Sequence, residues 1–593
     1  MEYKNETKNC QNCKKDFIIE PEDFNFYEKI QVPPPTWCPE CRLIRRLAYR
    51  EDRPLYKDKC DNCGEDIISV YNENNSFPIY CPSCWWGDSW DGTDYGRNYD
   101  FSKPFLEQFK KLLEIVPYQA TSQKNSTNCL YSNGNTRCKD CTLSFDGYES
   151  INCYNCQGSG FSRDSIDSDI VLNGDHTYET LSSDGVYNTK FVYFSDECLD
   201  CSFLFNCVGC SHCFGCVNLR NQKYKIFNKQ YSKEDYKKEL EKWDLGDYKI
   251  LQNAQEKFWE LYYKLPRKYA FITNSYNIKG DDIKSTRNCQ TCFSTLRGVE
   301  NCKFIFLGGL LLKDSYDVNF GGVTSELLYE INGCEKSQRG FFSRGCNESN
   351  DIEYTDKAYN CSYLFGCTKL RNKKYCILNK QYTKEQYEEL VPKIREHMMN
   401  MPYVDKLGRI YRYGEFFPSG FSSWTYNESW AQKYFPLTKE EALEKGFKWY
   451  DEKKRDYKIT IKAENLLDHI NDVSDSILNE VIECEHNGTC NEQCTTAFRI
   501  LPNELGFYKQ MNLALPHLCP TCRYGQRIKK KNPPKLWHRK CMCNGVESER
   551  GIYKNTIKHS HGDSPCQNEF ETAISDERRE IVYCEKCYQA EFV

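Results

Sequence analysis

No run of apolar residues in this 593-residue chain approaches the roughly 18 that a membrane span needs. The start, MEYKNETKNC, lacks the apolar h-region of a secretory leader. None of the nine histidines sits in an HExxH, CxxCH or nucleophile–base motif, so metalloprotease and triad chemistries have no visible machinery. Excess positive charge is missing too. A net charge of −5 and a pI near 6.1 exclude a global electrostatic pull toward nucleic acid or acidic lipid, so any such binding must be local. These absences predict a cytoplasmic chain with no membrane partner and no legible catalytic constellation.

Cysteine is what the chain has in excess, 37 of 593 residues. In a leaderless chain, CxxC pairs point to a reducing compartment and to metal-bound or buried thiols rather than disulfides. Cys10 and Cys13 are followed by the CPxC pair Cys38 and Cys41, 25 residues after Cys13. Cys490, Cys494, Cys519 and Cys522 repeat that second spacing, and Phe17, Pro21, Phe26, Tyr27 and Arg42 recur in register as Phe498, Pro502, Phe507, Tyr508 and Arg523. Cys60 and Cys63, then Cys81 and Cys84, make another such set, with Gly64 supplying the permissive backbone of the knuckle. Two cysteine pairs across a short β-rich segment can set four thiolates tetrahedrally around one zinc, a closed structural site. A last set is incomplete. Cys566 precedes Cys584 and Cys587 at the spacing of Cys63 to Cys81, but Asp563 stands where the partner of Cys60 would be. The missing ligand must come from Cys541, Cys543, His559 or His561; a thiolate set favours Cys543, with Cys541 or His561 as alternatives. The expected complement is about four Zn2+ per chain.

Between these ends the texture changes to short apolar dyads, Gly, Asn, Asp and scattered Cys. Residues 210–236 match 361–387 at 18 of 27 positions with an offset of 151, and both copies run into "NKQY". The small motif recurs as CSFLFNC, CSHCFGC and CSYLFGC at 201, 210 and 361. The expected fold is mainly β with α: zinc ribbons flanking a duplicated, cysteine-rich, β-solenoid-like body with capping helices. The predicted division is ribbons at 1–50 and 51–100, an amphipathic helix linker at 101–128, β-rich repeat modules at 129–265 and 266–402, a mixed connector at 403–483, and ribbons at 484–532 and 533–593. Capping helices are predicted at 233–243 and 384–399, starting at Ser232 and Thr383, and further helices at 438–444 and 459–482.

Two basic segments bear on partners. Arg42, Arg45, Arg46 and Arg50 crowd a short helix that can sit on phosphates or present a solvated face. After the third ribbon, Arg523, Arg527, Lys529, Lys530, Lys531, Lys535, Arg539 and Lys540 interleave with Tyr524 and Trp537, a pattern that suits phosphate contact with base stacking or a solvated linker. The nucleic-acid contacts expected from these segments are Arg42, Arg45, Arg46, Arg527, Lys529, Lys530, Lys531 and Lys535.

Cys207, Cys210, Cys213 and Cys216 form a CxxCxxCxxC run that can suggest an iron–sulfur cluster. Exchange of the Cys213 position with Leu204 and Leu364 favours buried core cysteines, leaving a metal or redox site as the alternative. A solenoid glycosidase would need paired acids; Asp164, Asp167, Asp169, Asp281 and Asp282 are available but read as turn residues.

The segment 10–42 and its copy at 490–523 resemble the probable zinc-ribbon family of bacterial proteins, on the CxxC, the FY pair and the terminal CxxCR. The whole chain looks like the multi-zinc-ribbon proteins of candidate-phylum bacteria, in which ribbons flank repeats ending in "NKQY" and a tail close to "EIVYCEKCY". The resemblance implies zinc at the matched cysteines and brings no activity with it. The resulting expectation is a non-enzymatic zinc-binding scaffold or binding protein whose ribbons and basic segments contact nucleic acid or ribonucleoprotein. The alternatives are a protein–protein scaffold with purely structural zinc and, more distantly, a redox or iron–sulfur protein.

Overall fold

The computed structural model describes residues 3–453, 457–490 and 492–593. The chain is mainly β, with a β-solenoid of about 21 turns in the middle and cysteine clusters near both termini. The solenoid comes as two stacks. In the first, parallel strands from Ile151–Tyr154 to Lys223–Ile226 pair in sequence order, each residue facing the one twelve places on, as in Arg163 with Asp175 and Asp175 with Tyr187. The second runs from Ile272–Thr273 to Lys374–Ile377 and widens to a thirteen-residue step where Arg287 faces Glu300. Lys284 joins the stacks through a 2.7 Å ion pair to Asp196.

A three-residue rule builds each turn. Residues 188, 191, 194, 197, 200, 203 and 206 all have positive φ, near 50°. Each sharp left-handed step bends a short extended pair, and the following residue points inward. Left-handed backbone costs an L-residue about 1–2 kcal/mol, which is why Asn and Asp are frequent at these steps. Their side chains also bond up the stack: Asn188 Nδ2 donates to Asp200 Oδ1 at 2.6 Å and Asn206 Nδ2 to Asn218 Oδ1 at 3.0 Å.

The narrow interior is filled mostly by Ser, Thr, Cys and Val, with Leu and Ile at some turns. Ser162 Oγ donates to the carbonyls of Gly160 and Val171, two residues back and nine ahead. Cys207 Sγ donates to those of Phe205 and Cys216 in the same relation. Cysteine therefore substitutes for serine here as a compact buried donor with more apolar surface. For Cys207→Ser we expect a stability change below about 1.5 kcal/mol and no change in bound metal, checked by urea denaturation and elemental analysis; loss of a metal ion on this substitution would show a site inside the stack.

"NKQY" is the stop signal. Phe227 and Asn228, and likewise Leu378 and Asn379, are consecutive left-handed residues, the signature of a type I′ turn. Each turn folds a two-residue strand back antiparallel on the last parallel one. The helices Lys233–Leu240 and Lys384–Asn400 follow, with Ser232 Oγ accepting from the Asp235 amide and Thr383 Oγ1 from that of Gln386. The helix Phe105–Leu113 buries Phe105, Phe109, Leu112 and Leu113. Helix Tyr248–Lys264 has no counterpart among the helices expected from sequence; its Phe258 and Tyr262 pack against Phe203 and Phe205 of the first stack, the second pair edge to face. The helix expected over 459–482 is corrected to three short 3-10 segments within 463–479, where each turn is closed by its own Ala463, Ile470 or Ile477 packing inward.

Candidate metal centres

Among the described residues, the groups that could hold metal ions include Cys10, Cys13, Cys38 and Cys41; Cys60, Cys63, Cys81 and Cys84; Cys484, Cys494, Cys519 and Cys522; and Cys541, Cys566, Cys584 and Cys587. In each, the sulfurs all lie within 4.8 Å of one another. Tetrahedral thiolates on 2.3 Å bonds would sit about 3.8 Å apart, and the observed pairs Cys13–Cys38 and Cys566–Cys584 are at 3.7 and 3.9 Å.

One local architecture generates all four. The first ligand directly follows a strand: Glu6–Asn9, Tyr56–Lys59, Ile482–Glu483 and Trp537–Lys540 precede Cys10, Cys60, Cys484 and Cys541. The antiparallel return strand begins three residues after the second ligand, at Asp16, Asp66, Ala497 and Glu569. The third ligand, Cys38, Cys81, Cys519 or Cys584, is the N-cap of a helix, and the fourth sits in that helix's first turn. Helix N-termini favour negative charge, so the geometry supports thiolates. The amide of the third cysteine donates to the first sulfur in every case, at 3.2, 3.2, 3.3 and 3.2 Å. Burial pushes the Cys60 thiol up, but the amides of Cys81, Cys63 and Asn62 outweigh it and bring it down to about 7.

Spacing misses one first ligand, Cys484, and ranks another, Cys541, only as an alternative. Cys484 takes the place expected of Cys490, whose sulfur lies alongside at 3.6 Å from Cys522. Cys541 completes the last four-thiol group where Cys543 was favoured. Nine residues separate Cys484 from Cys494 and 24 separate Cys541 from Cys566, against two in the other knuckles. The strand preceding the cysteine was the available signal.

No family model and no curated protein matches the chain. Among solved structures, a crystal structure described as a "putative acetyltransferase" from Desulfovibrio desulfuricans G20 aligns at 10% identity over 49% of this chain and 74% of its own, with a TM-score of 0.10. So loose a superposition bears on neither fold nor activity.

Of the residues expected to contact nucleic acid, Arg42, Arg45, Arg46, Arg527 and Lys531 are buried and do not present their charges to a ligand. Helix Pro39–Leu47 lies against the second stack, and its arginines are buried. Arg42 meets Asp317 at 2.9 Å, Arg45 meets Glu330 at 2.8 Å and Glu415 at 3.2 Å, and Arg46 meets Glu330 and Asp317 at 2.8 and 2.9 Å. Helix Pro520–Ile528 repeats the arrangement on the first stack. Arg523 reaches Asp167 at 2.7 Å, and Arg527 reaches Asp169 and Glu179 at 2.7 and 3.1 Å. Lys531 is buried near Asp282, and Lys530 shares Glu179. Neither a phosphate nor bulk water reaches these guanidinium groups. Lys529 and Lys535 remain largely exposed, paired with Glu492 and Glu40. The same docking absorbs Asp167 and Asp169, two of the acids a glycosidase reading would have used.

The residue after each fourth cysteine is thus a docking residue. Arg42 and Arg523 grip stacked acids, Trp85 packs on Tyr359, and the Tyr588 hydroxyl accepts from Asn206 Nδ2 at 2.7 Å. The cysteine modules near the N-terminus pack on the second stack, and those near the C-terminus pack on the first.

Proposed function

We propose that this chain is a non-enzymatic, zinc-stapled scaffold that binds another protein, in a reducing cytoplasm. The observation that carries the reading is the direction of the cysteine modules: each turns its helix and its following side chain onto the solenoid, and the first and third use their basic groups in buried ion pairs. Four-thiolate sets leave no open coordination position for substrate, and tetrahedral S4 sites suit zinc. The resemblance to the probable zinc-ribbon family points the same way. All 37 cysteines are unbridged, as thiols are under reducing conditions. Among the described residues no helix is long and apolar enough to cross a membrane.

The surface assigned to the partner is the face of the first stack carrying Ile151, Arg163, Asp175, Tyr187 and Leu199, one residue per turn in register. Ile151, Tyr187 and Leu199 are exposed. Such a column, with rungs about 4.8 Å apart, mixes apolar and charged side chains in the manner of a protein-binding surface.

Protein purified without added metal should contain at least four zinc ions per chain and no iron by elemental mass spectrometry. Labelled single-stranded RNA and duplex DNA should show no salt-sensitive binding in fluorescence anisotropy. Binding that falls steeply with salt, and falls further when Lys529 and Lys535 are changed to glutamate, would replace the protein partner by nucleic acid. Stoichiometric iron would restore the redox reading of the central cysteines.

A further inference from the structure

The 24-residue insertion between Cys541 and Cys566 carries a second set of metal-ligating groups. Cys543, His559, His561 and Cys587 bring one ligand atom each within 4.8 Å of one another. Cys543 Sγ is 3.1 Å from His559 Nδ1 and 3.5 Å from His561 Nε2, and the latter is 3.3 Å from Cys587 Sγ. Cys587 also belongs to the four-thiol group with Cys541, Cys566 and Cys584. We propose that the last module is a two-metal centre in which Cys587 Sγ bridges an inner ion held by Cys541, Cys566 and Cys584 and an outer zinc held by Cys543, His559 and His561. This rests on the zinc reading of the four-thiol groups.

The outer shell is built for a metal. His561 Nδ1 faces the Ser564 carbonyl at 2.7 Å, which can only accept, so the proton sits on Nδ1 and the Nε2 lone pair is directed at the two sulfurs. His559 Nε2 faces Glu591 Oε1 at 2.8 Å, leaving Nδ1 toward Cys543. Glu591 is itself fixed by the Tyr553 hydroxyl at 2.7 Å and by the amide and hydroxyl of Thr556. Imidazole nitrogens tied back to a carboxylate or a carbonyl are the usual support of metal-bound histidines. Asn555 Nδ2 donates to Cys543 Sγ at 3.2 Å, as Asn568 Nδ2 does to Cys584 Sγ.

The insertion also needs a staple. Val546, Ile552 and Ile557 are exposed, so much of its apolar material is not spent on packing. Loops longer than about 15 residues without helices or strands of their own are uncommon in compact domains unless something fixes or uses them. Two sulfurs and two imidazoles at tetrahedral range suit zinc.

The test is zinc per chain in the full-length, tag-free protein, by elemental mass spectrometry against amino-acid analysis. The wild type should carry five, and the double substitution His559→Ala/His561→Ala should carry four. Cys543→Ser, which touches only the outer ion, should also carry four, and it keeps the comparison available if the histidine variant fails to fold. A wild type with four that stays at four in both variants overturns the second site and leaves the scaffold reading standing. Five in wild type and variants alike places the extra ion elsewhere and overturns it too. Fewer than four in the wild type removes the zinc reading itself.

Discussion

Arg527→Ala should destabilise the protein by about 3–5 kcal/mol while leaving its zinc content unchanged. Arg527 is fully buried, and its guanidinium meets Asp169 at 2.7 Å, Asp167 at 3.0 Å and Glu179 at 3.1 Å, with a further bond to the Asn155 carbonyl at 3.2 Å. Truncation leaves Asp169 buried without its cation. Desolvating an unpaired carboxylate is the costly half of a broken buried pair, which is why the loss exceeds that of any surface bridge. Asp167 keeps Arg523 at 2.7 Å and Glu179 keeps Lys530 at 3.3 Å, so the damage centres on Asp169. Lysine is no remedy, because one ammonium cannot span three carboxylates as the guanidinium fork does. Urea denaturation gives the free energy, and hydrogen exchange should show helix Pro520–Ile528 opening before the stack beneath it. A loss under about 1 kcal/mol would mean that the modules sit on the solenoid without holding it.

The burial of these arginines explains what the sequence could and could not show. A nine-residue helix with Arg42, Arg45 and Arg46 has the composition of a surface, and its counter-charges Asp317 and Glu330 lie more than 270 residues away. No local pattern links them. The CPxC pairs, by contrast, were legible because Cys38, Cys81 and Cys519 must each occupy an N-cap and their partners the first turn, which fixes the spacing. The stop of each stack was legible for a related reason, since "NKQY" holds the Asn that closes the two-residue turn and the short strand that folds back after it. The solenoid was legible only as a class. Its three-residue rule is written largely in Cys, Ser, Thr and Val at inward positions such as Thr189, Val192, Ser195 and Cys198, which share size more than hydropathy, so neither the period of a strand nor that of a helix emerges. The missed ligand follows from tolerance. Only the two strand ends fix Cys484 against Cys494, and the loop between them can grow without disturbing the pairing of Ile482 with Phe498.

That tolerance makes the third module a decisive case. Five thiols gather there, and Cys490 sits closer to Cys494 in sequence, at nearly the spacing of an ordinary knuckle. Position in the fold favours Cys484, which follows its strand as Cys10 does and accepts the Cys519 amide at 3.3 Å as Cys10 accepts that of Cys38 at 3.2 Å. Cys490→Ser should therefore leave zinc occupancy and retention at the wild-type level. In Cys484→Ser the neighbouring Cys490 can still reach the metal, but without the amide that steadies the first thiolate, so retention against a competing chelator should fall about 10–100-fold. Cys484→Ser/Cys490→Ser should lose the ion entirely, and with it a binding free energy on the order of 10 kcal/mol that the module uses to fold. Helix Pro520–Ile528, whose N-cap is the third ligand, should then release Arg523 and Arg527 from the first stack. If Cys490→Ser proves the more damaging single change, the first ligand is set by spacing to Cys494, and the strand does not choose it.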